Sequence, residues 1–152
     1  MASKIIDIIV PIGNEGIGSI FQAIDSNGNI IKQFSSDAET LSLSIAVLIN
    51  DRTECAAELI ACDLKDFGKA LLFGEKTKGV GTLQQLFTLD DGSALSLSVA
   101  EIIPYSGKTY NKVGVNPDYE ILTSESFKNS LHLENFSNDE QYLRAHEYLT
   151  GK

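Results

Sequence analysis

Two short apolar runs flank the strongest helical pattern in the chain. Residues 45–49 and 70–73 are continuous and apolar, as expected for strands that are covered on both faces. Residues 53–67 carry apolar side chains at helical spacing, with Thr53 suited to the N-cap and Gly68 to a left-handed stop. The order strand, helix, strand predicts a right-handed crossover between two parallel strands.

A clear turn signal lies near the N-terminus, at Asp25-Ser26-Asn27-Gly28-Asn29. Because Asn-Gly accepts positive φ at low cost, we expect a hairpin there, with residues 30–34 as its return strand. The segment before it, residues 3–10, fits either a short amphipathic helix or an apolar strand, ended by Pro11 and Gly13.

A second hairpin is predicted after the helical unit. Residues 82–89 and 94–103 flank the turn Asp90-Asp91-Gly92-Ser93. Apolar residues alternate with serines along 95–99, which predicts one buried face and one polar face. A last helix is expected to start at residue 138 or 139 and to end at 149. Together these elements predict the α/β class: a twisted sheet with a parallel β-α-β unit, a long β-hairpin and flanking helices.

Length and charge narrow the possible functions. The 152 residues (16.5 kDa) suffice for one domain with a buried core, taken as residues 1–152. A net charge of −9 argues against nucleic acid or anionic membrane as a partner, because phosphate binding needs a basic face. No apolar run reaches the roughly 18 residues of a membrane span. Residues 5–12 are short and contain Asp7, so they do not predict a signal peptide. The protein is then either cytosolic or exported by a signal outside this chain.

The cysteines and histidines predict neither a disulfide nor a metal site. Cys55 and Cys62 are seven residues apart on one predicted helix, so their Cα atoms are about 10 Å apart, beyond the reach of a bridge. His132 and His146 form no zinc-type cluster with them. We therefore expect no metal and no cofactor.

Five ordered motifs resemble one protease family. Cys55-Ala56-Ala57-Glu58 follows an apolar strand that ends in Asn50-Asp51, and a glycine loop comes 16 residues after this motif. In that order the chain is similar to the carboxyl-terminal processing (tail-specific) serine proteases, whose patterns are Ser-Ala-Ser-Glu and Gly-Glu-x-Thr-x-Gly-Lys-Gly. The four later motifs are Gly74-Glu75-Lys76-Thr77-Lys78-Gly79-Val80-Gly81, Leu89-Asp90-Asp91-Gly92-Ser93-Ala94-Leu95, Gly114-Val115-Asn116-Pro117-Asp118 and Asp139-Glu140-Gln141-Tyr142-Leu143.

By the resemblance, this chain has different residues at both positions of the family's catalytic dyad. The nucleophilic serine falls on Cys55, and the lysine general base falls on Val80. Gln84 matches the position that orients the lysine, and the backbone N–H of Ala56 matches an oxyanion donor. In a Ser/Lys dyad a neutral lysine takes the proton of the serine, and valine cannot do this. Bringing a neighbouring lysine, Lys78 for example, into register would require a gap in an ungapped loop.

Two interpretations of Cys55 remain open from sequence. A thiol at the start of a helix is a candidate nucleophile in its own right. Alternatively, Cys55 is a small, semi-buried residue kept for its volume after activity was lost. Cys62 is expected in the core, His146 in a packing or surface role, and His132 in a loop.

The resemblance also implies what the chain does not contain. In the family, a PDZ domain and a strand ending in Gly-Gly precede this part of the core, and the Gly-Gly pair helps to form the oxyanion hole. Gly16 and Gly18 are not placed to replace it, and loss of one oxyanion donor costs roughly 10²–10³ in rate. The family fold is the spiral type shared with crotonase and ClpP. Without its first strands, apolar sheet surface or a strand edge is expected to be exposed and covered by a second copy or another chain.

Three functions follow as hypotheses. The first is a catalytically degenerate protease-like core that acts as a binding or structural module for a peptide or protein. The second is an active peptidase for protein C-termini, with Cys55 as nucleophile and completed by another chain. The third is a hydrolase of small acyl substrates. Relatives of this family usually work outside the cytoplasm or in the cell envelope, and the chain is expected to be a homo-oligomer or to pair with a second chain.

Overall fold

The computed structural model describes residues 2–10, 19–36, 43–123 and 136–151. The predictions for Pro11, Gly13, Gly16, Gly18 and His132 fall outside these residues. The elements in chain order are α1 (Ala2–Ile9), β1 (Ser19–Ile24), β2 (Ile30–Ser35), β3 (Ile45–Ile49), α2 (Ala56–Asp66), β4 (Ala70–Gly74), β5 (Thr82–Thr88), β6 (Ala94–Pro104), β7 (Tyr119–Glu120), a 3-10 turn (Phe136–Asn138) and α3 (Glu140–Thr150).

The described strands form two sheets. One is antiparallel, with strand order β2-β1-β6-β5, and contains both predicted hairpins. The other is parallel, with order β3-β4-β7, and contains the predicted crossover through α2. The α/β class, the parallel unit and both turns are therefore confirmed, although the hairpins and the parallel strands lie in separate sheets.

The core lies between the two sheets and the first two helices. Residues 2–9 form the helical alternative, and α1 packs on α2 with Ile6 fully buried. From the antiparallel sheet, Ile20 and Ile102 join the same cluster, and Leu72 joins it from β4. Burial of such side chains contributes roughly 1.5–3 kcal/mol each. This cluster holds the N-terminal end of α2, where the motif cysteine lies, against the antiparallel sheet.

Helix α2 ends as predicted but begins later than predicted. Gly68 has φ +64 and provides the predicted left-handed stop. The predicted start at Thr53 is wrong, because the helix begins at Ala56 and Cys55 is its N-cap. The Thr53 hydroxyl instead accepts a hydrogen bond from the N–H of Asn50 at 3.0 Å, so it closes the preceding turn.

The distal part of the β5–β6 hairpin contradicts one expectation from the pattern. The alternation along 95–99 predicts a buried apolar face, but Leu95 and Leu97 are 48% and 46% exposed. Phe87 lies opposite Leu95 and is exposed as well. The alternation correctly gives the two faces of the strand, while the described part of the chain leaves the apolar face uncovered.

Candidate functional site

Cys55 lies at a strained turn between β3 and α2. Its backbone has φ 55 and ψ −121, a conformation that costs a non-glycine residue about 1–3 kcal/mol. Four hydrogen bonds hold it: the N–H donates to Glu58 Oε2 at 3.2 Å, and the carbonyl accepts from the N–H groups of Glu58 and Leu59 and from the Tyr110 hydroxyl. This is the geometry of a strand-turn-helix elbow, which presents the side chain to solvent. The expectation of a semi-buried cysteine is wrong, since Cys55 is exposed.

The carboxylate of Glu58 connects this elbow to the glycine loop. Glu58 is fully buried, and besides the Cys55 N–H it accepts hydrogen bonds from the Thr77 hydroxyl, from Gly79 N–H at 2.6 Å and from Val80 N–H at 2.7 Å. Four donors on one carboxylate satisfy its acceptor capacity and offset the cost of burying it. The spacing of Cys55 and Glu58, which is that of a capping box, was the available sequence signal for this arrangement.

The glycine loop is also tied to the segment that follows β6. The Thr77 hydroxyl accepts a hydrogen bond from Val115 N–H at 2.7 Å, and the Gly79 carbonyl accepts one from Lys112 N–H at 2.7 Å. Gly114 has φ +79, and a Cβ there would lie 2.3 Å from the Thr77 carbonyl oxygen. The two backbones approach so closely that no side chain fits between them, and the loop is fixed by this contact.

A cleft of about 360 Å³ opens beside Cys55. The structure brings three of the predicted site residues to it: Cys55, Ala56 and Gln84 all line the cleft. Among the described residues, none accepts a hydrogen bond from the Ala56 N–H. The other lining residues are mostly apolar: Ala2, Ser3, Phe21, Leu59, Thr82, Leu83 and Ile102.

Val80 does not line this cleft. It is partly exposed, and its position is set by the backbone hydrogen bond to Glu58. Val80, the fourth predicted site residue, thus precedes β5 and lies two residues before Thr82, which lines the cleft. An aliphatic side chain at this position offers no group that can take up a proton.

Lys78 is the basic side chain of the loop that approaches Cys55. Its ammonium is exposed and forms an ion pair with Glu54. The hydrogen bond to Glu54 and the charge of that carboxylate raise the pKa of Lys78, and smaller contributions come from Cys55 and Glu58. A lysine whose pKa is raised stays protonated at neutral pH and cannot act as a general base. It supplies positive charge near the elbow instead.

Several buried polar groups lie behind the elbow and were not predicted from sequence. Burial raises the pKa of Asp63 to about 7. Its Oδ1 accepts a hydrogen bond from Tyr105 N–H, while Oδ2 is buried and has no hydrogen-bond partner among the described residues. Burial, together with the charges of Asp66 and Asp63, raises the pKa of the Cys62 thiol. Burial and the charge of Glu58 also raise the pKa of Tyr110. Cys62 is thus a partly buried thiol that stays protonated, in contrast to the exposed Cys55.

The remaining candidates lie away from the cleft. His146 is exposed on α3, where its ring is 5.9 Å from that of Tyr142. Cys55 and Cys62 are both free thiols in the structure. Within the described ranges, no group of three or more His, Cys, Asp or Glu side chains is arranged to hold a metal ion. None of the described helices is long and apolar enough to cross a membrane.

The fold and the elbow define the class of protein: an α/β core that presents one side chain at a strained strand-to-helix turn above an apolar cleft. Residues 3–121 match Peptidase family S41. The chain belongs to this family.

Proteins similar to this chain in sequence are named as carboxyl-terminal-processing peptidases, in agreement with the family match. Carboxyl-terminal-processing peptidase 2, chloroplastic, of Arabidopsis thaliana is 40% identical over 109 residues, which cover 70% of this chain and 21% of the relative. The carboxyl-terminal-processing protease of Picosynechococcus is 34% identical over 122 residues, which cover 80% of this chain and 29% of the relative. The chain thus spans between a fifth and a third of the length of these relatives.

Solved structures show the same fold. The photosystem II D1 C-terminal processing protease superposes with a TM-score of 0.69 at 31% identity, over 79% of this chain and 30% of that chain. A putative S41 protease from Bacteroides fragilis superposes with a TM-score of 0.73 over 99% of this chain and 41% of that chain. Its identity is 20%, so it supports the fold alone.

Proposed function

We propose that this chain is a catalytically degenerate S41 core that binds peptide segments without hydrolysing them by the Ser/Lys route. The proposal is supported by the residues at the two positions that the motif resemblance assigns to the dyad, Cys55 at the elbow and Val80 in the glycine loop. The frame around them is intact, because the Glu58 carboxylate holds both Cys55 N–H and Val80 N–H. An ordered frame without a proton acceptor supports binding better than acyl transfer.

The available lysine does not replace the missing base. Lys78 is ion-paired with Glu54 at the surface, and its pKa is raised. A general base must be neutral and within hydrogen-bond reach of the proton that it takes. A protonated Lys78 fails the first of these requirements, which supports the assignment of Val80 as a lost general-base position.

The proposal is tested by a peptidase assay with an unstructured protein substrate. The wild-type protein and the Cys55→Ala variant are expected to give the same background rate. Faster cleavage by the wild type would contradict degeneracy. The double variant Cys55→Ser, Val80→Lys, with each single variant as control, then tests whether the frame accepts the dyad. Activity in the double variant alone would identify the two substitutions as the cause of the loss.

One observation favours a second candidate, a thiol-dependent peptidase acting on protein C-termini. Cys55 is exposed at the elbow, the backbone N–H of Ala56 in the same cleft has no acceptor among the described residues, and the Lys78 ammonium lies near. This arrangement would need a proton acceptor from another chain. Hydrolysis that is abolished by alkylation of Cys55, and that appears only in an oligomer, would favour it over the first proposal.

Location and assembly belong to the same proposal. The Arabidopsis relative is a chloroplastic peptidase by name, and the Picosynechococcus relative is named a carboxyl-terminal-processing protease. The family resemblance supports, as a proposal, an extracytoplasmic or cell-envelope location for this chain. Light scattering during size-exclusion chromatography tests whether it is a homo-oligomer, as expected from the uncovered face of the β5–β6 hairpin.

A further inference from the structure

Asp63 is a buried acid in the middle of α2. Its side chain is fully buried. Oδ1 accepts a hydrogen bond from the Tyr105 N–H at 3.0 Å, and Oδ2 has no donor within the part of the chain that the structure describes. A buried carboxylate needs several donors to offset the loss of water, and one donor does not suffice. The neutral acid is therefore the form of Asp63 that fits these surroundings.

The groups on α2 itself disfavour ionisation of Asp63. Burial raises the pKa of Asp63, and the charge of Asp66 raises it further. Burial and the charges of Asp66 and Asp63 also raise the pKa of the neighbouring Cys62 thiol, so this group stays neutral. Lys65, the basic residue of the helix, forms its ion pair with Asp118 at 2.8 Å. Lys65 is therefore not a counter-ion for Asp63.

The elements that pack against α2, namely α1, β4 and β6, supply no counter-ion for Asp63 within the described ranges. Helix α1 carries Lys4 and Asp7, and neither acts on the pKa of Asp63. Strand β4 has no ionisable side chain, and Glu101 of β6 accepts a hydrogen bond from a threonine. After β6, Tyr110 lies near Asp63; burial first, and then nearby acidic groups that include Asp63, raise the pKa of Tyr110. Tyr110 thus stays neutral and adds no positive charge.

Residues 104–115, which we call the connecting segment, join Asp63 to the elbow. The first end of the segment is fixed on α2: the Tyr105 N–H donates to Asp63, and the Tyr105 ring stacks on Phe67 with 3.9 Å between ring centroids. In the middle of the segment, the buried Tyr110 donates a hydrogen bond from its hydroxyl to the Cys55 carbonyl at 3.4 Å. The last residues reach the glycine loop through two backbone N–H donors. Movement of the first end therefore acts on the groups that hold the elbow.

We propose that Asp63 is a pH-dependent latch for the connecting segment: the neutral acid holds the segment closed on α2, and ionisation opens it and loosens the Cys55 elbow. In the closed form, an ionised Asp63 remains buried with one donor and no counter-ion. In the open form, the Tyr105 ring leaves Phe67 and water reaches both carboxylate oxygens, which removes the penalty of burial. The inference goes beyond the proposed function, because it concerns how firmly the elbow is held and not what the cleft binds.

Opening is favoured as the pH rises. In the closed form, burial raises the pKa of Asp63 to about 7, whereas a hydrated carboxyl in the open form has an ordinary pKa of 3.8. Below about pH 3 both forms hold the proton, and the closed form has its full advantage. Between the two pKa values the open form loses its proton first, so the opening constant rises by up to about tenfold per pH unit; above the higher pKa the rise ends. We expect an opening constant at pH 8 that is at least tenfold that at pH 5.

Amide hydrogen exchange at pH 5 and pH 8 tests the latch. The rates are converted to protection factors, which removes the ordinary effect of pH on exchange. The Tyr105 amide, bonded to Asp63, reports on the connecting segment, and the Leu59 amide, bonded to the Cys55 carbonyl at 3.3 Å, reports on the elbow. Both protection factors are expected to fall at least tenfold from pH 5 to pH 8 in the wild type. Exchange that does not depend on dilute urea shows that the opening is local rather than global.

Three variants assign the effect. Asp63→Asn keeps the size of the side chain but cannot ionise, so its protection factors should be the same at both pH values. Asp66→Asn, which changes an exposed acid of the same helix, should retain most of the fall. Tyr110→Phe removes the hydroxyl that reaches the elbow carbonyl. In this variant the Tyr105 amide should still lose protection at pH 8, whereas protection of the Leu59 amide should no longer change with pH.

Several outcomes would overturn the inference. Equal protection of the Tyr105 amide at both pH values in the wild type does so without any variant, and so does a fall that Asp63→Asn retains. A urea dependence as steep as that of the β3–β4 amides would show global unfolding instead of a latch. A fall at Tyr105 with constant protection at Leu59 would refute the connection to the elbow. If Asp63→Asn does not fold, carbon-13 titration of the wild-type Asp63 carboxyl replaces it: an ordinary pKa overturns the inference, and one near 7 supports it.

Discussion

The Glu58 carboxylate accepts one hydrogen bond from the N–H of Val80 at 2.7 Å and another from the N–H of Cys55 at 3.2 Å. Positions 55 and 80, which the motif resemblance assigns to the dyad, are therefore held by the same buried side chain. These bonds involve backbone atoms of residues 55 and 80, so they do not depend on which side chains stand at the two positions.

The first prediction concerns this carboxylate. Glu58→Gln replaces one acceptor oxygen by an amide that faces donors, so at least one buried donor loses its partner. We expect the free energy of unfolding to fall by about 3 kcal/mol, since hydrogen bonds to charged groups and buried unsatisfied donors each cost about 1–3 kcal/mol. Urea denaturation measures the change. Glu54→Gln removes the same charge from an exposed ion pair and should leave the midpoint nearly unchanged. Similar losses in both variants would contradict the assigned role of Glu58.

The second prediction concerns the contact of the glycine loop with the segment after β6. Gly114→Ala places a Cβ at 2.3 Å from the Thr77 carbonyl oxygen, whereas Gly107→Ala, also at positive φ, meets nothing within 4 Å. Both variants share the cost of a left-handed alanine, about 1–2 kcal/mol. The clash is expected to add about 1–3 kcal/mol for Gly114→Ala. Equal denaturation midpoints for the two variants would show that the loops are not locked together.

The structure shows how far local patterns reach in this fold. The parallel β-α-β unit, the two hairpin turns and the last helix follow from periodicity, turn residues and caps, which act over a few positions. The start of α2 does not, because the strained backbone of Cys55 depends on Glu58 and Tyr110. Likewise, the alternation of Leu95 and Leu97 gives the faces of β6 but not what covers them.

The site was predictable to a similar extent. The motif order placed Cys55, Ala56 and Gln84 in one place, and they line one cleft. The buried groups behind it, Asp63 and Tyr110, carry no sequence signal, because their burial comes from contacts between α2 and distant segments. An aspartate on an amphipathic helix is ordinarily read as exposed.

The third prediction follows from the buried Asp63. Its folded pKa of about 7 exceeds the unfolded value of 3.8 because burial disfavours the charged form. Below about pH 3 both states hold the proton, and the stabilising contribution of the neutral acid is complete. As the pH rises towards 7, the unfolded state loses its proton first, so the free energy of unfolding falls; the loss is about 4 kcal/mol and is complete above the folded pKa.

Asp63→Asn removes this titration. Its free energy of unfolding should lack the decline between pH 4 and 7, and the variant should be more stable than the wild type at pH 8. Asp66→Asn, an exposed position on the same helix, should retain the decline. Urea titrations at pH 4.5, 6 and 8 measure both profiles. Parallel profiles for wild type and Asp63→Asn would show that this carboxyl is not the group responsible.

The fourth prediction uses the contrast between the two cysteines. Cys55 is exposed at the elbow, whereas burial and nearby carboxylates raise the pKa of the Cys62 thiol and keep it protonated. Because the thiolate is the reactive form, iodoacetamide should modify Cys55 at least tenfold faster than Cys62 in the folded protein at pH 7.5. Mass spectrometry of timed samples gives both rates, and the variants Cys55→Ser and Cys62→Ser show which rate belongs to which thiol.

A Cys55 rate equal to that of the unfolded protein would identify an ordinary accessible thiol and argue against the peptidase alternative. A rate well above the unfolded value would show that the elbow and Lys78 activate it.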